Sequence, residues 1–271
     1  MPLVQVGDFR MNYIERGQGP ETILFVHGFT CCSLFWEEAM DRLPGSRYRT
    51  IAIDLRGTGD SDKPETGYSA VQYAEDIAGF VQQMGLRNFT IAGHSMGGTF
   101  VLLYALKHQE LLRSIVLVNT GGIIRPSTPP PPPSEEAQRQ QQNFRENALK
   151  DRNLMAGFYN RLFLRPLPSY VFDSLVDKAM TLSPHHLQKL PATMAEVNVQ
   201  AQLGEIRVPT LVIGSDRDAL VPPPVFAALQ QAIPNASLHV FHRVGHTPQL
   251  EVPDDVVRVL TDFLDNSVAE A

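Results

Sequence analysis

Short apolar runs alternate with longer amphipathic segments along most of the chain. Six runs rich in Ile, Leu, Val and Phe are predicted to be strands: residues 22–27, 48–54, 88–93, 114–119, 210–215 and 237–242. Nearly continuous apolar runs of this kind are typical of strands covered on both faces. Helical spacing of apolar residues is found in residues 68–84, 98–107 and 256–264, and a looser alternation in residues 3–15 predicts an antiparallel edge hairpin. The pattern predicts an α/β fold with βα units around a mostly parallel, doubly wound sheet.

The alternation stops between residues 119 and 207. Gly121 and Gly122 lead into five consecutive prolines, Pro129 to Pro133, and then into a stretch rich in Gln, Arg and Glu. Because proline cannot donate a ladder hydrogen bond and favours an extended backbone, this stretch is predicted to be a stiff tether or a mobile loop. A Pro-rich ligand for another domain is the alternative.

Two amphipathic helices are predicted after the tether. Their apolar residues recur every four positions, with Leu154, Phe158 and Leu162 in the first helix and Phe172, Val176 and Met180 in the second. The sheet already has its own helices, so we expect these two to form a cap over a cleft. We therefore predict a core of residues 1–120 and 207–271 with an inserted helical cap of residues 121–206. An independent helical hairpin is the alternative.

The composition is that of a folded globular protein with an acidic balance. The 271 residues are 43% hydrophobic, and 23 Lys and Arg stand against 29 Asp and Glu, which gives a net charge of −6. This charge opposes binding to a phosphate backbone, so nucleic acid is not an expected partner. No apolar run reaches the roughly 18 residues needed to cross a bilayer, and residues 1–10 lack the apolar stretch of a secretory signal. We therefore expect a soluble, cytoplasmic protein.

The two cysteines, Cys31 and Cys32, are adjacent in the sequence. A vicinal disulfide is strained and connects no distant segments, so a reducing compartment is the simplest inference. No histidine lies at zinc-finger spacing from the pair, which disfavours a structural zinc site. Two small buried thiols are expected here.

The segment Gly93-His94-Ser95-Met96-Gly97 fits the GxSxG pattern of a nucleophile elbow. It directly follows a predicted strand and directly precedes a predicted helix. In this context the GxSxG pattern indicates a nucleophile elbow. The chain must reverse within one or two residues, and a Cβ atom on either glycine would collide with the nearby backbone. The turn would project the Ser95 oxygen above the sheet and place the Met96 amide at a helix start, where an oxyanion could form.

A serine hydroxyl needs a base to remove its proton, and the base needs a carboxylate to orient it. His246 is the candidate base because it follows the last predicted strand and therefore lies at the strand ends that face the elbow. Among the other histidines, His108, His185 and His186 fall on predicted helices or in the insertion, and His239 and His242 lie within a predicted strand. The carboxylate is predicted to be Asp218, in the loop after residues 210–215. Asp216 in the same loop is the alternative, although it could instead cap the turn.

These segments together resemble the α/β-hydrolase family across nearly the whole chain. The matching motifs are the elbow, His27-Gly28-Phe29, the segment Asp54 to Ser61, Asp218 with Val221 and Pro222, Gly245-His246, and Glu251 with Pro253. The order serine, acid, histidine is also the order of that family. The resemblance implies Ser95 as nucleophile, His246 as general base, Asp218 as orienting acid, and an oxyanion hole from the amides of Phe29 and Met96. It implies neither a metal nor an organic cofactor.

The activity implied is that of a serine hydrolase cleaving a small or medium apolar carboxylic ester through an acyl-enzyme intermediate. Lactonase, C–C bond hydrolase and cofactor-free perhydrolase activities use the same triad and stay open, as does a slow-turnover ligand receptor. The serine disfavours the dehalogenase and epoxide hydrolase branches, which place an aspartate there. Residues expected to line the substrate pocket are Phe158, Tyr159, Leu162 and Phe163, with Trp36 and His94 as positions for which packing is the other interpretation.

Overall fold

A computed structural model describes residues 2–121, 124 and 134–268 of the chain. Within these residues eight strands form one sheet, β1 (Leu3–Val6), β2 (Phe9–Arg16), β3 (Glu21–Val26), β4 (Tyr48–Ile53), β5 (Phe89–His94), β6 (Leu112–Val118), β7 (Thr210–Ser215) and β8 (Ala236–Phe241). The predicted proline tether, Pro129 to Pro133, lies outside the described residues.

The strand order is β1-β2-β4-β3-β5-β6-β7-β8. Strands β3 to β8 pair in parallel, whereas β1 pairs with β2 and β2 pairs with β4 in antiparallel fashion. The predicted doubly wound, mostly parallel sheet, its six apolar strands and the edge hairpin are therefore confirmed. In register, Val26 lies opposite Gly93, and His94 lies opposite Val118. The loops that follow β3, β5, β6 and β7 consequently leave the sheet at one common edge, where the candidate residues are placed.

Ten α-helices accompany the sheet in the described part of the chain. They are α1 (Glu37–Arg42), α2 (Ala70–Gln83), α3 (Met96–His108), α4 (Glu135–Asn147), α5 (Arg152–Asn160), α6 (Ser169–Ala179), α7 (Pro184–Glu196), α8 (Pro224–Ala232), α9 (Pro248–Glu251) and α10 (Pro253–Val268). The helices predicted at residues 68–84, 98–107 and 256–264 correspond to α2, α3 and α10. No helix of the described part combines the length and the apolar character that a membrane span requires.

Two apolar clusters cover the two faces of the sheet. On one face, α2, α3 and α8 bury large side chains such as Tyr73, Phe100 and Phe226. On the other face, α1 and α10 bury Met40 and Leu260. Both faces of the central parallel strands β3, β5, β6 and β7 are thus shielded from water, which explains why these strands are largely apolar.

Helices α4 to α7 lie between β6 and β7 in the sequence and share a third apolar cluster. The cluster joins Tyr159 and Val176 of these helices to Phe35, which follows β3. Polar contacts reinforce this packing, since the Tyr159 hydroxyl donates to the Thr30 carbonyl (2.7 Å) and the Ser183 amide donates to the Gly57 carbonyl (2.8 Å). The helices are therefore anchored on the loops that follow β3 and β4.

Of these four helices, α5 and α6 correspond to the two that were predicted. Leu162 and Met180, however, come just after the two helices rather than within them. Helix α4 was not predicted, because its sequence is rich in Gln, Glu and Arg and buries no residue fully. Helix α7 was also missed, since Pro191 lies inside it and proline ordinarily signals a helix end.

Candidate active site

Ser95 occupies a sharp turn between β5 and α3. Its backbone has a φ of +53°, in the left-handed region that residues with side chains rarely adopt. A Cβ atom on Gly93 would lie 2.6 Å from the Cα of Gly98, and one on Gly97 would overlap the carbonyl oxygen of His27. The two glycines therefore allow strand and helix to approach closely enough to hold Ser95 in this strained conformation, half-buried at the sheet edge.

Ser95, His246 and Asp218 form a continuous chain of hydrogen bonds. His246 Nε2 is 2.9 Å from Ser95 Oγ, and His246 Nδ1 is 2.8 Å from Asp218 Oδ2. Because an ionised carboxylate can only accept, Nδ1 carries the proton and Nε2 accepts from the serine hydroxyl. The side chains of His246 and Asp218 are 3% and 0% exposed, so water does not compete for these bonds.

The Asp218 carboxylate is held by four hydrogen bonds. Its Oδ1 accepts from the amides of Leu220 (2.7 Å) and Val221 (2.9 Å), while Oδ2 accepts from Asn119 Nδ2 (2.8 Å) as well as from His246. Burial by itself would raise the pKa of Asp218, but the hydrogen bond and charge of His246, with the Val221 and Asn119 bonds, hold that pKa below its ordinary value. The carboxylate is thereby kept ionised beside the imidazole.

The alternative carboxylate, Asp216, lies elsewhere in the same loop. Its Oδ1 accepts from the backbone amide of Arg243 at 2.7 Å, and its Oδ2 lies 3.3 Å from His242 Nδ1. It closes the turn after β8 and has no hydrogen bond to His246 in the described part of the chain. The geometry thus brings Asp218, rather than Asp216, to the imidazole.

His94 lies under His246 and supports it, instead of lining a substrate pocket. Its Nε2 is 2.8 Å from the His246 carbonyl oxygen, and its ring centroid lies 4.9 Å from that of His246 and 6.5 Å from that of Phe35. Burial lowers the pKa of His94 to about 3, so the ring is neutral and Nε2 carries the donated proton. The interpretation of His94 as a pocket residue is therefore corrected to packing at the sheet edge.

The two predicted oxyanion-hole amides belong to segments that flank Ser95. Met96 is the first residue of α3, where backbone amides lack partners within the helix. Phe29 follows Gly28, and a Cβ atom on Gly28 would lie 3.0 Å from Ser95 Cβ. His27 fixes this loop, because its Nδ1 contacts the Gly28 carbonyl at 2.8 Å and its Nε2 accepts from the Leu55 amide at 3.1 Å.

A cleft of about 350 Å³ opens beside Phe29, among helices α4, α5 and α7. Its apolar wall consists of Phe29, Phe144, Phe158 and Pro191, and the rest of its lining is largely polar. Of the six residues expected to line the pocket, only Phe158 lines this cleft within the described part of the chain. On the side of α7, the ring of His186 stacks on Phe29 with centroids 5.4 Å apart.

The remaining predicted pocket residues have other roles. Trp36 is buried in the core on the α1 and α10 face, 4.7 Å from the Phe25 ring, because the short 3-10 helix Ser33–Trp36 turns it away from the cleft. Tyr159 is fully buried in the cluster that anchors α4 to α7. Leu162 is also buried in this cluster. Phe163 packs against Phe172 and lines a separate surface crevice. Packing, rather than the cleft, accounts for all four.

Sequence reasoning missed three residues of the site. Asn119, which follows β6, donates to Asp218, and its place directly after a buried strand was the available signal. The Glu251 carboxylate accepts from the amides of Gly245 (2.9 Å), Leu164 (3.0 Å) and Arg165 (3.0 Å), and this residue had been noted only as a motif match. His186, whose ring stacks on Phe29, had no sequence signal beyond its residue type.

Comparison with known proteins gives a family match over most of the chain. A family model described as alpha/beta hydrolase fold matches residues 21–253. A 2-hydroxy-6-oxononadienedioate/2-hydroxy-6-oxononatrienedioate hydrolase from Pseudomonas putida is 30% identical over 273 aligned residues, covering 96% of this chain and 94% of that protein. A 2-(acetamidomethylene)succinate hydrolase from Mesorhizobium japonicum is 43% identical over 116 residues, which are 43% of this chain and 41% of that protein.

Among solved structures, an esterase from Exiguobacterium antarcticum superimposes with a TM-score of 0.88. It is 23% identical in sequence, and the alignment covers 97% of this chain and 98% of the esterase. A likeness at this level of identity establishes a shared fold and nothing further.

Proposed function

The chain belongs to the alpha/beta-hydrolase fold family, and from this premise we propose that it is a serine hydrolase that uses Ser95, His246 and Asp218 to transfer an acyl group to water. The observation that carries the proposal is the hydrogen-bonded chain from Ser95 Oγ through His246 to Asp218, at 2.9 and 2.8 Å. These distances lie within the range that a nucleophile and its base require.

In the proposed reaction, Ser95 Oγ attacks the substrate carbonyl carbon while His246 Nε2 accepts the hydroxyl proton. The Asp218 carboxylate, with its lowered pKa, stays ionised and stabilises the imidazolium. The amides of Met96 and Phe29 would donate to the oxyanion of the tetrahedral intermediate. His246 then protonates the leaving group, and the acyl-enzyme is hydrolysed by a water molecule that His246 deprotonates in turn, which regenerates Ser95.

We propose that helices α4 to α7 form a cap on a core made of residues 1–120 and 207–271. Two features support this: the helices rest on loops at the edge of the sheet where Ser95 lies, and three of them surround the cleft beside Phe29. A cap in this position would exclude water from the acyl-enzyme and select the substrate by its shape.

A carboxylic ester is the primary proposed substrate, and a C–C bond next to a carbonyl is the second. The second is favoured by the Pseudomonas putida relative, whose name describes hydrolysis of a 2-hydroxy-6-oxo dienedioate and whose alignment spans nearly the whole chain. Both reactions expel a leaving group from a carbonyl carbon, so the same three residues would serve either one.

The proposal is tested by assaying the parent protein and the S95A variant side by side. The substrates are a p-nitrophenyl ester series from acetate to long-chain acyl groups and a 2-hydroxy-6-oxo dienoate. We expect turnover in at least one class, reduced at least about 1,000-fold in S95A. Ester turnover alone would assign the primary substrate class and show which acyl-chain lengths the site accepts. Dienoate turnover alone would assign the second substrate class. Turnover that persists in S95A would overturn the proposal.

A further inference from the structure

The cleft beside Phe29 contains two arginines, Arg145 on α4 and Arg161 just after α5. Neither forms an ion pair with an acidic residue of the described chain, and residues 122–133 contain no Asp or Glu. Arg152, by contrast, pairs with two carboxylates, those of Asp173 and Asp177. Two unneutralised guanidinium groups therefore face one cleft of about 350 Å³.

The rest of the cleft is suited to an amphiphilic ligand. The Phe158 ring lies 4.9 Å from Phe144 and 6.5 Å from Phe29, which gives a continuous aromatic wall. The Arg161 guanidinium lies 5.6 Å from the centre of the Phe158 ring, so the charge borders that wall. Gln140 and Gln141 add amide donors from α4. An apolar chain ending in an anion would match this distribution.

The cleft also borders the loop that carries a proposed oxyanion donor. The Phe29 side chain lines the cleft, and the Phe29 backbone amide is one of the two amides proposed to bind the oxyanion formed at Ser95. A substrate whose carbonyl carbon lies at Ser95 can therefore extend past Phe29, with its far end between α4 and the end of α5. The arginines are placed to meet that far end rather than the reacting carbonyl.

We propose that the substrate carries a carboxylate at the end remote from the scissile carbonyl, and that Arg145 and Arg161 bind it. This inference rests on the proposed function, because it assigns the substrate class of the same site. Guanidinium groups match the geometry of a carboxylate and bind it through paired, charge-assisted hydrogen bonds. The expected substrate is thus a half-ester or keto acid with a terminal carboxylate, instead of the small or medium apolar ester predicted from the sequence.

The test compares two p-nitrophenyl esters of equal chain length, the valerate and the mono-ester of glutaric acid. The variants are R145Q, R161Q and the conservative R145K, with R139Q as the matched control on the same helix outside the cleft. We expect kcat/KM for the glutarate ester to fall about 10- to 100-fold in R145Q and R161Q, mainly through KM. R145K should retain part of the activity, R139Q should be unchanged, and valerate turnover should be unaffected in all variants.

Equal losses on both esters would overturn the inference, because they would assign the arginines to folding or to the apolar wall. Unchanged turnover of the glutarate ester in R145Q and R161Q would overturn it as well. Binding of monomethyl glutarate to S95A, measured by calorimetry with methyl valerate as control, separates this inference from the proposed function. If the parent turns over neither the esters nor the dienoate, but S95A binds monomethyl glutarate and loses that binding when R145Q is added, the reaction assignment fails while the carboxylate site stands. No preference for the glutarate in S95A would overturn the site itself.

Discussion

The backbone amide of His246 donates a 2.8 Å hydrogen bond to the carbonyl oxygen of Leu162. Leu162 lies just past α5, so the loop that carries the proposed base is bonded directly to the helices inserted after β6. The Glu251 carboxylate strengthens this connection, because it accepts amide protons from Gly245 on one side and from Leu164 and Arg165 on the other. The orientation of the base and the position of the α5–α6 connection are therefore coupled.

The first prediction concerns Glu251. In E251Q the two side-chain oxygens that accept three amide protons are replaced by one oxygen and an amide donor, which cannot satisfy them. We expect the His246 loop to shift and kcat to fall about 10- to 100-fold with a much smaller change in KM, because the base is misplaced while the cleft is kept. Steady-state kinetics on the best substrate of the parent measure this split.

The matched control is D254N, three residues further on. Asp254 pairs with Arg42 on the surface and its side chain is 87% exposed, so its loss should leave kcat unchanged. A lower melting temperature for E251Q with an unaltered kcat would contradict the prediction, because it would limit Glu251 to a structural role.

The second prediction concerns two buried histidines, His94 and His186. Burial lowers the pKa of each to about 3, from an ordinary value of 6.5. Between these two pH values the unfolded chain binds protons that the folded chain does not, so stability is lost as the pH falls from about 6.5 towards 3. Each histidine should contribute about 1 kcal/mol per pH unit to this loss near pH 5 to 6.

Urea unfolding of the parent and of H186Q at pH 5, 6 and 7 measures the effect. Glutamine can still donate a hydrogen bond to Tyr73, whose hydroxyl lies 2.6 Å from His186 Nδ1, but it does not titrate. We expect the pH slope of the unfolding free energy to decrease in H186Q relative to the parent. If the pH slope of the unfolding free energy in H186Q equals that of the parent, His186 does not resist protonation in the folded state.

The sequence predicts the site best where the catalytic geometry depends on residues that are adjacent in the chain. The elbow around Ser95 could be predicted because strand, tight turn and helix are adjacent in the chain. The contact between Asn119 and Asp218 could not, because it depends on how the loops after the parallel pair β6 and β7 approach each other. For Trp36 the sequence left packing and pocket lining as two interpretations, and the short 3-10 helix Ser33–Trp36 places the side chain in the core.

The helices inserted between β6 and β7 are predicted from the sequence only where they bury an apolar face. Apolar periodicity reveals helices that bury a face, as α5 and α6 do, with Met155 and Val176 fully buried. Helix α4 has no fully buried residue, and its contribution is the polar rim of the cleft. A pattern search for apolar faces therefore finds the scaffold of the insertion but not the helix that carries Arg145.

The last prediction uses two glycines that lie in helices but differ in their surroundings. At Gly97 in α3, a Cβ atom would overlap the carbonyl oxygens of Val26 and His27, and backbone atoms of a central strand cannot move aside cheaply. At Gly157 in α5, a Cβ atom would meet nothing within 4 Å. We expect G97A to lower the unfolding free energy by at least about 3 kcal/mol, because the elbow and β3 would have to separate. G157A should raise it by about 0.5 to 1 kcal/mol, since alanine costs less backbone entropy in a helix.

Thermal and urea unfolding of both variants, together with turnover of the best parental substrate, test this contrast. Activity should be lost in G97A, because Ser95 would be displaced. It should be retained in G157A, because Phe158 rather than Gly157 is the residue of α5 that lines the cleft. A stable and active G97A would mean that the elbow does not need the close approach of α3 to β3. The strained backbone of Ser95 depends on that approach. Such a result would therefore also show that steric exclusion of a Cβ atom does not explain why residue 97 is glycine.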